Sequence, residues 1–150
     1  MDILTVVEIL KYAIKIEEES YKYYKKASKI IQEADLRSAV LELADQERNH
    51  IRQLKSLLNN GHQLSDDLSS DISMAHLIIQ TRRITNRTST TDILIIALER
   101  EKATFNTYSM LLNIANMNSA VIETFKLLKS REEEHIKLIN EKLTQRANNS

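Results

Sequence analysis

Apolar residues recur every three or four positions along four long stretches of the chain, which is the spacing of one face of an α-helix. The predicted helices cover residues 2–31, 35–60, 91–115 and 119–146. A short link joins the first helix to the second and the third to the fourth, so each of these two pairs should form an antiparallel hairpin. Residues 61–90 are rich in Ser, Asp, Thr, Asn and Arg, with one short helical pattern at 72–79, and form a predicted crossover. The pattern therefore predicts one all-α domain, 1–150, with hairpins 2–60 and 91–146.

Several residues mark where these helices should begin and end. Asp35 is a predicted N-cap of the second helix, and Gly61 supplies a stop after it. Ser89 with Asp92 three residues later resembles a capping box at the start of the third helix.

A glutamate and a histidine interrupt the apolar stripe of the second helix. Glu47 and His50 lie three residues apart, so both side chains point from one helical face toward the predicted core. Glu132 and His135 repeat this arrangement on the fourth helix. Because an ionised carboxylate without a partner is costly to bury, both pairs require a compensating group. We infer that this group is a metal ion.

The other two helices each carry one glutamate on the apolar stripe, Glu17 and Glu101. They belong to an internal repeat, since Glu17 recurs 84 residues later as Glu101, and Glu47 recurs 85 residues later as Glu132. Packing two such hairpins face to face gathers four carboxylates and two imidazoles, the set expected for two metal ions in a helical bundle. The predicted ligands are Glu17, Glu47, His50, Glu101, Glu132 and His135.

The ligand types restrict the choice of metal. Four glutamates balance two divalent cations, and neutral imidazoles complete the coordination. Mixed Glu and His ligation suits iron or manganese better than calcium, and the lack of thiolate makes a structural zinc site less favourable. One alternative stays open, in which the acids form hydrogen-bonded core pairs without metal.

Composition and charge exclude several other classes. The chain has no cysteine, which rules out disulfides and iron–sulfur clusters in it. Its 21 basic and 21 acidic residues cancel, which argues against general binding to nucleic acids or acidic membranes, and the cluster Arg82, Arg83 and Arg87 is interpreted as solvated surface. The longest wholly apolar run, 93–98, is too short for a membrane span, and no signal peptide is recognised at the start. A cytoplasmic location is the expectation.

Four segments together resemble the ferritin-like di-iron carboxylate superfamily, and within it the rubrerythrin-like proteins. They are AIKIEEESYKYY, LADQERNHI, ALEREKATFNTY and SREEEHI. The resemblance implies a ferritin-like four-helix bundle of two hairpins joined by a long crossover, with two iron ions per chain, or alternatively manganese. It also implies that the six residues above are the ligands, with Glu47 and Glu132 as the bridges.

The resemblance implies an oxidoreductase that reduces hydrogen peroxide or dioxygen in defence against oxidative stress. The alternatives are a ferroxidase or other iron-handling protein, a di-manganese protein, or a purely structural metal-binding bundle. Without cysteine pairs for a rubredoxin-type site, electrons should come from an external donor such as a rubredoxin-like protein, or from ferrous iron. With no clear fifth helix to close a ferritin-like cage, a small homo-oligomer such as a dimer is expected.

Some positions depart from the pattern of the family. Rubrerythrins have an additional acid one turn from the third-helix ligand, where this chain has Leu98 and Thr104. Arg48 occupies the position of the haem-binding Met of bacterioferritins, so no haem is expected. Tyr24 and Tyr108 are predicted to donate hydrogen bonds to the ligand carboxylates. The other two histidines, His62 and His76, are predicted to lie on the surface.

Overall fold

Four long α-helices make up most of the part of the chain that a computed structural model describes, namely residues 5–60, 82–114 and 117–149. They are α1 (Val6–Ile30), α2 (Ala34–Asn59), α3 (Thr90–Leu111) and α4 (Ser119–Asn148). These described residues contain no β-strand. The predicted all-α class is confirmed. The predicted helix 72–79 and the stop at Gly61 lie outside the described residues.

The first hairpin begins and turns slightly differently from the prediction. Thr5 caps α1, and its side chain accepts from the Glu8 amide at 3.1 Å while the Glu8 carboxylate accepts from the Thr5 amide at 3.3 Å. The N-cap of α2 is Glu33, which makes no side-chain hydrogen bond to the helix, and the predicted cap Asp35 lies inside the first turn. An acid in that turn still interacts favourably with the helix dipole.

In the second hairpin, the cap predicted at Ser89 is present, since its hydroxyl accepts from the Asp92 amide at 3.0 Å. Helix α3 ends at Leu111, four residues before the predicted end at 115. The amides of Asn113 and Ile114 bond three residues back, to Met110 and Leu111, which tightens the chain out of the α-helical ladder. Helix α4 continues to Asn148, two residues beyond the prediction.

The bundle consists of two hairpins, with α1 packed along α2 and α3 along α4. Across the hairpins, α1 contacts α3 and α2 contacts α4. The predicted surface arginines Arg82, Arg83 and Arg87 are exposed. None of the helices in the described ranges is both long and apolar enough to cross a membrane.

A polar layer divides the hydrophobic core into two clusters. Each of the four stripe glutamates has a buried residue with an apolar body seven positions before it and another seven positions after it. The eight flanking residues are Leu10 and Tyr24, Val40 and Leu54, Leu94 and Tyr108, and Phe125 and Ile139. On every helix, one flanking residue belongs to each cluster. The glutamates are therefore held at one level of the bundle by two turns of packed helix on either side.

Candidate metal centre

Four carboxylates meet at this level in the interior of the protein. The exposed fraction is 0% for Glu17 and Glu47, 2% for Glu101 and 1% for Glu132. His50 and His135 join them with exposed fractions of 4% and 2%. The structure thus brings together all six residues that the sequence singled out as ligands.

The six side chains form two overlapping groups of four. The first contains Glu17, Glu47, His50 and Glu132, and the second contains Glu47, Glu101, Glu132 and His135. Within each group, the potential ligand atoms lie within 4.8 Å of one another. Ligands on opposite sides of one ion, each about 2.1 Å from it, would be about 4.2 Å apart. Each group therefore has the size of one coordination shell.

The two groups share Glu47 and Glu132, which come from α2 and α4. Two ions held by these groups would share Glu47 and Glu132, while Glu17 and Glu101 would each serve one ion. The imidazole rings of His50 and His135 stack nearly parallel, with centroids 5.9 Å apart and an interplanar angle of 15°. The layout has an approximate twofold symmetry that follows from the internal repeat.

The Nδ1 atom of each imidazole faces the carboxylates. His50 Nδ1 lies 3.4 Å from Glu17 Oε2, 3.6 Å from Glu47 Oε2 and 3.7 Å from Glu132 Oε1. His135 Nδ1 lies 3.4 Å from Glu47 Oε1 and from Glu101 Oε2, and 3.6 Å from Glu132 Oε2. These distances exceed those of good N–H···O hydrogen bonds. Each imidazole therefore approaches three carboxylates without making a close hydrogen bond to any of the three.

In the part of the chain that the structure describes, several atoms of the cluster are buried without a hydrogen-bond partner. They include both carboxylate oxygens of Glu47 and of Glu132, Glu101 Oε2 and His135 Nδ1. A buried polar atom without a partner costs roughly 1–3 kcal/mol, and more if the group is charged. A pair of divalent cations would give every one of these atoms a partner, since oxygen and imidazole nitrogen are ligands for such ions. The residues present therefore fit a pair of metal ions.

Two buried tyrosines donate hydrogen bonds to Glu17 and Glu101, the glutamates that each belong to only one of the two groups. The Tyr108 hydroxyl donates to Glu17 Oε1 at 2.7 Å, and the Tyr24 hydroxyl donates to Glu101 Oε1. Each bond runs between α1 and α3 and so links the two hairpins. Burial, together with the neighbouring carboxylate, raises the pKa of both phenols well above the usual value, so they stay protonated as donors.

The metal-free cluster retains protons at neutral pH. Burial, and then the negative charge of Glu47, raises the pKa of Glu17 to about 8. Burial acts to lower the pKa of both imidazoles, but the surrounding carboxylates outweigh it and raise the pKa of His50 to about 9 and of His135 to about 10. Although burial acts to raise the pKa of Glu47, the proximity of the Glu17 carboxyl group and of the two imidazoles outweighs burial and lowers that pKa.

Two polar residues near the cluster were not predicted from the sequence. Gln46 on α2 accepts a hydrogen bond from His135 Nε2 at 2.5 Å. Arg100 on α3 is buried, with its guanidinium 3.3 Å from Ser20 Oγ and over the ring of Tyr23. Neither residue lies on the apolar stripe of its helix, so hydrophobic periodicity gives no signal for them. The sequence signal that could have pointed to them is that each directly precedes a predicted ligand, Glu47 or Glu101.

The positions that depart from the rubrerythrin pattern have other roles in the packing. Leu98 packs against the hydrophobic cluster that contains Tyr24 and Leu94. Thr104 is buried, and its hydroxyl donates to the backbone carbonyl of Arg100 at 3.0 Å. Arg48, in place of a haem-binding Met, is exposed and contacts Tyr21. The predicted surface residues His62 and His76 lie outside the described residues.

The fold and the cluster define a ferritin-like helical bundle with a candidate carboxylate and histidine metal centre. A crystal structure from Thermotoga maritima, described provisionally as a ferritin-like diiron-carboxylate protein, matches with a TM-score of 0.75. The two chains are 24% identical, and the match covers 96% of this chain and 97% of the other. At this identity the match establishes the fold, and the predicted ferritin-like four-helix bundle is confirmed.

At the level of sequence, the Rubrerythrin family model matches residues 8–78, which include Glu17, Glu47 and His50. A comparison with curated proteins found no match. The predicted resemblance to rubrerythrin-like members of the ferritin-like group is confirmed by the family match and the fold together. The 150 residues contain no cysteine and therefore no rubredoxin-type iron site.

Proposed function

We propose that the protein holds two iron ions between its hairpins and reduces hydrogen peroxide. The observation that carries the proposal is the pair of overlapping four-residue groups that share Glu47 and Glu132. A hydrogen-bonded core network would need a single set of donors matched to acceptors, yet both oxygens of the two shared glutamates have no partner. A pair of ions that shared the carboxylates of Glu47 and Glu132 would account for this arrangement.

The burial of the cluster favours a very small reactant. No member of the set of six is more than 4% exposed. A surface cavity of about 870 Å³ lies elsewhere, at the end of the bundle formed by the starts of α2 and α3 and the end of α4, and none of the six residues lines it. Hydrogen peroxide or dioxygen is small enough to reach such a site through minor fluctuations of packed helices, whereas an organic substrate would need an open pocket.

The proposed reaction balances with two ferrous ions per chain. An iron pair held by the four glutamates and two histidines would supply two electrons and become ferric, and with two protons these electrons would reduce one hydrogen peroxide to two waters as its O–O bond breaks. An external electron donor, such as a rubredoxin-like protein, would then restore the ferrous state. Iron is preferred over manganese in this proposal because the family and fold matches are to rubrerythrin and to a ferritin-like diiron-carboxylate protein.

The protein residues would orient the site and exclude water from it. Tyr24 and Tyr108 fix the rotamers of Glu101 and Glu17 through their hydroxyls, so each glutamate presents its second oxygen to the cluster. The two hydrophobic clusters above and below the polar layer keep bulk water away. Low dielectric around the site strengthens the interaction of the carboxylates with bound cations.

Anaerobic loading with ferrous iron followed by stopped-flow mixing with each oxidant tests the proposal. We expect two bound irons per chain, consumption of one peroxide for every two ferrous ions, and slower oxidation by dioxygen. Replacing His50 or His135 with Ala should lower the iron content and the rate of peroxide consumption. The His62→Ala variant serves as the control, because the sequence pattern leaves this histidine out of the ligand set.

Other outcomes would contradict the proposal in distinct ways. Faster oxidation by dioxygen, with continued uptake of iron into a mineral, would favour an iron-handling ferroxidase. Full occupancy without turnover of either oxidant would favour a structural metal site. Purification with a single tightly bound zinc ion, or with no affinity for metal, would remove the basis for a di-iron function.

A further inference from the structure

The internal repeat breaks down at the residue that precedes each shared glutamate. Gln46 precedes Glu47 on α2, and the equivalent residue before Glu132 on α4 is Arg131. Gln46 is half-buried and bonds to the histidine of the opposite hairpin. Arg131 is exposed and pairs with Glu134 at 3.1 Å on its own helix. Of the two equivalent residues, therefore, Gln46 contacts a predicted metal ligand and Arg131 forms an ion pair on the surface.

The bond from Gln46 fixes the imidazole of His135. Since Gln46 Oε1 can only accept, His135 Nε2 carries a proton, and Nδ1 is the nitrogen that faces the carboxylates and loses its proton when a cation binds. Nδ1 is also the atom found buried without a hydrogen-bond partner and 3.4 Å from Glu47 and Glu101. The hydrogen bond and the ligand direction therefore agree on one ring orientation and one tautomer.

His50 has no counterpart of this support. Within the described ranges 5–60, 82–114 and 117–149, the polar contacts of its ring are made by Nδ1, to Glu17, Glu47 and Glu132. The side chain that would occupy the place of Gln46 by symmetry is the guanidinium of Arg131, which has only donors and could not accept from an imidazole N–H. Among the described residues, the ring of His50 is positioned by packing and by the carboxylates.

We propose that Gln46 is a positioning residue that makes the two metal positions unequal, so that the position with Glu101 and His135 binds a divalent ion more tightly and is filled first. This inference rests on the proposed function, because it assumes that the cluster binds metal. Its physical basis is that a ligand held in the correct tautomer and orientation loses less freedom on binding, and that an acceptor at Nε2 increases the basicity of Nδ1.

A titration with manganese(II), in which electron paramagnetic resonance measures the free ion, tests the order of filling. We expect two classes of site in the wild-type chain, of which His135→Ala removes the tighter and His50→Ala the weaker. Gln46→Leu should weaken the tighter class by about 10- to 100-fold, the usual effect of removing such a partner, and leave the weaker class unchanged. Arg131→Leu, the matched control at the equivalent position, should change neither class.

A spectroscopic measurement separates positioning from a general effect on folding. In zinc-loaded protein labelled with ¹⁵N-histidine, His135 should show a slowly exchanging Nε2–H proton and a metal-shifted Nδ1. Gln46→Leu should abolish the slow exchange of this proton without changing the signals of His50. Gln46→Glu retains an acceptor and should restore both the protected proton and the tighter binding class. Gln46→Asn, which is too short to reach His135, offers a polar substitute for the leucine variant if that one folds poorly.

The results distinguish this inference from the proposed function. If the wild-type chain binds two manganese ions with one affinity, or if Gln46→Leu weakens both classes equally, the role of Gln46 is wrong and the metal centre stands. If Arg131→Leu has the same effect as Gln46→Leu, the asymmetry is wrong. If the wild-type chain binds no metal, the proposed function itself fails.

Discussion

Filling both metal positions at neutral pH should release about three protons per chain. Without a bound cation, the pKa is about 8 for Glu17, about 9 for His50 and about 10 for His135. All three groups are therefore protonated at pH 7. Because a carboxylate and an imidazole nitrogen must be deprotonated to bind a cation, each must lose its proton when the ions enter.

The same count sets the pH dependence of affinity. Below about pH 7, where the protein without bound cations holds all three protons, the overall constant for binding two ions should rise by about three decades per pH unit. At pH 9.5 Glu17 and His50 have mostly lost their protons and His135 has mostly kept its own, so the release should fall to about one proton. At neutral pH and without metal, His50 and His135 are both imidazolium ions, and their positive charges partly replace those of the cations.

Isothermal titration calorimetry with manganese(II) measures the release directly. Titrations at pH 7 in several buffers that differ in ionisation enthalpy give the number of protons as the slope of observed enthalpy against buffer enthalpy. Repeating the series at pH 9.5 provides the internal control. A release below one proton at pH 7, with two ions bound, would show that the metal-free cluster is not protonated as its geometry requires.

Three further predictions concern stability and affinity. The metal-free protein should become less stable as pH rises, most steeply from about pH 6.5 to 8. The reason is that Glu17, His50 and His135 have raised pKa values in the folded protein, so the unfolded chain releases their protons at lower pH. Thermal unfolding measures this effect, and equal melting temperatures at pH 6.5 and pH 8 would contradict it. Tyr24→Phe and Tyr108→Phe should each weaken manganese(II) binding by about 10- to 100-fold in the same titration, whereas unchanged affinity would exclude a supporting role for the hydroxyls. Phe125→Ala should lower the free energy of unfolding by about 3–5 kcal/mol, while Leu127→Ala, at a side chain that is 43% exposed, should change it by less than about 0.5 kcal/mol in denaturant titrations.

Hydrophobic periodicity is enough to predict most of this fold. Long helices whose apolar residues follow one stripe leave little ambiguity about which face is buried, and a glutamate on such a stripe is conspicuous. For this reason Glu17 and Glu101 were identified as readily as the two pairs with histidine. The internal repeat then indicated which residues of the two halves are equivalent.

The sequence was less informative about helix ends and about residues beside the stripe. The start of α1 depends on a capping box of Thr5 with Glu8, which lies inside the stretch predicted as helix. The early end of α3 at Leu111 depends on tight turns that no breaker residue marks. The role of Gln46 depends on a contact between hairpins, with a residue 89 positions away. Such a contact becomes visible only when the relative rotation of the helices is known.

The shared glutamates have a consequence for how such a protein could have originated. Each group of four takes three ligands from one hairpin and one from the other, since Glu132 completes the group of Glu17, and Glu47 completes the group of Glu101. A single hairpin is therefore always one ligand short of a complete group. Two copies of one ancestral hairpin, paired about a twofold axis, would have supplied both groups in full. Duplication and fusion of its gene would then free each half to diverge, and Gln46 and Arg131 are positions at which the two halves have done so.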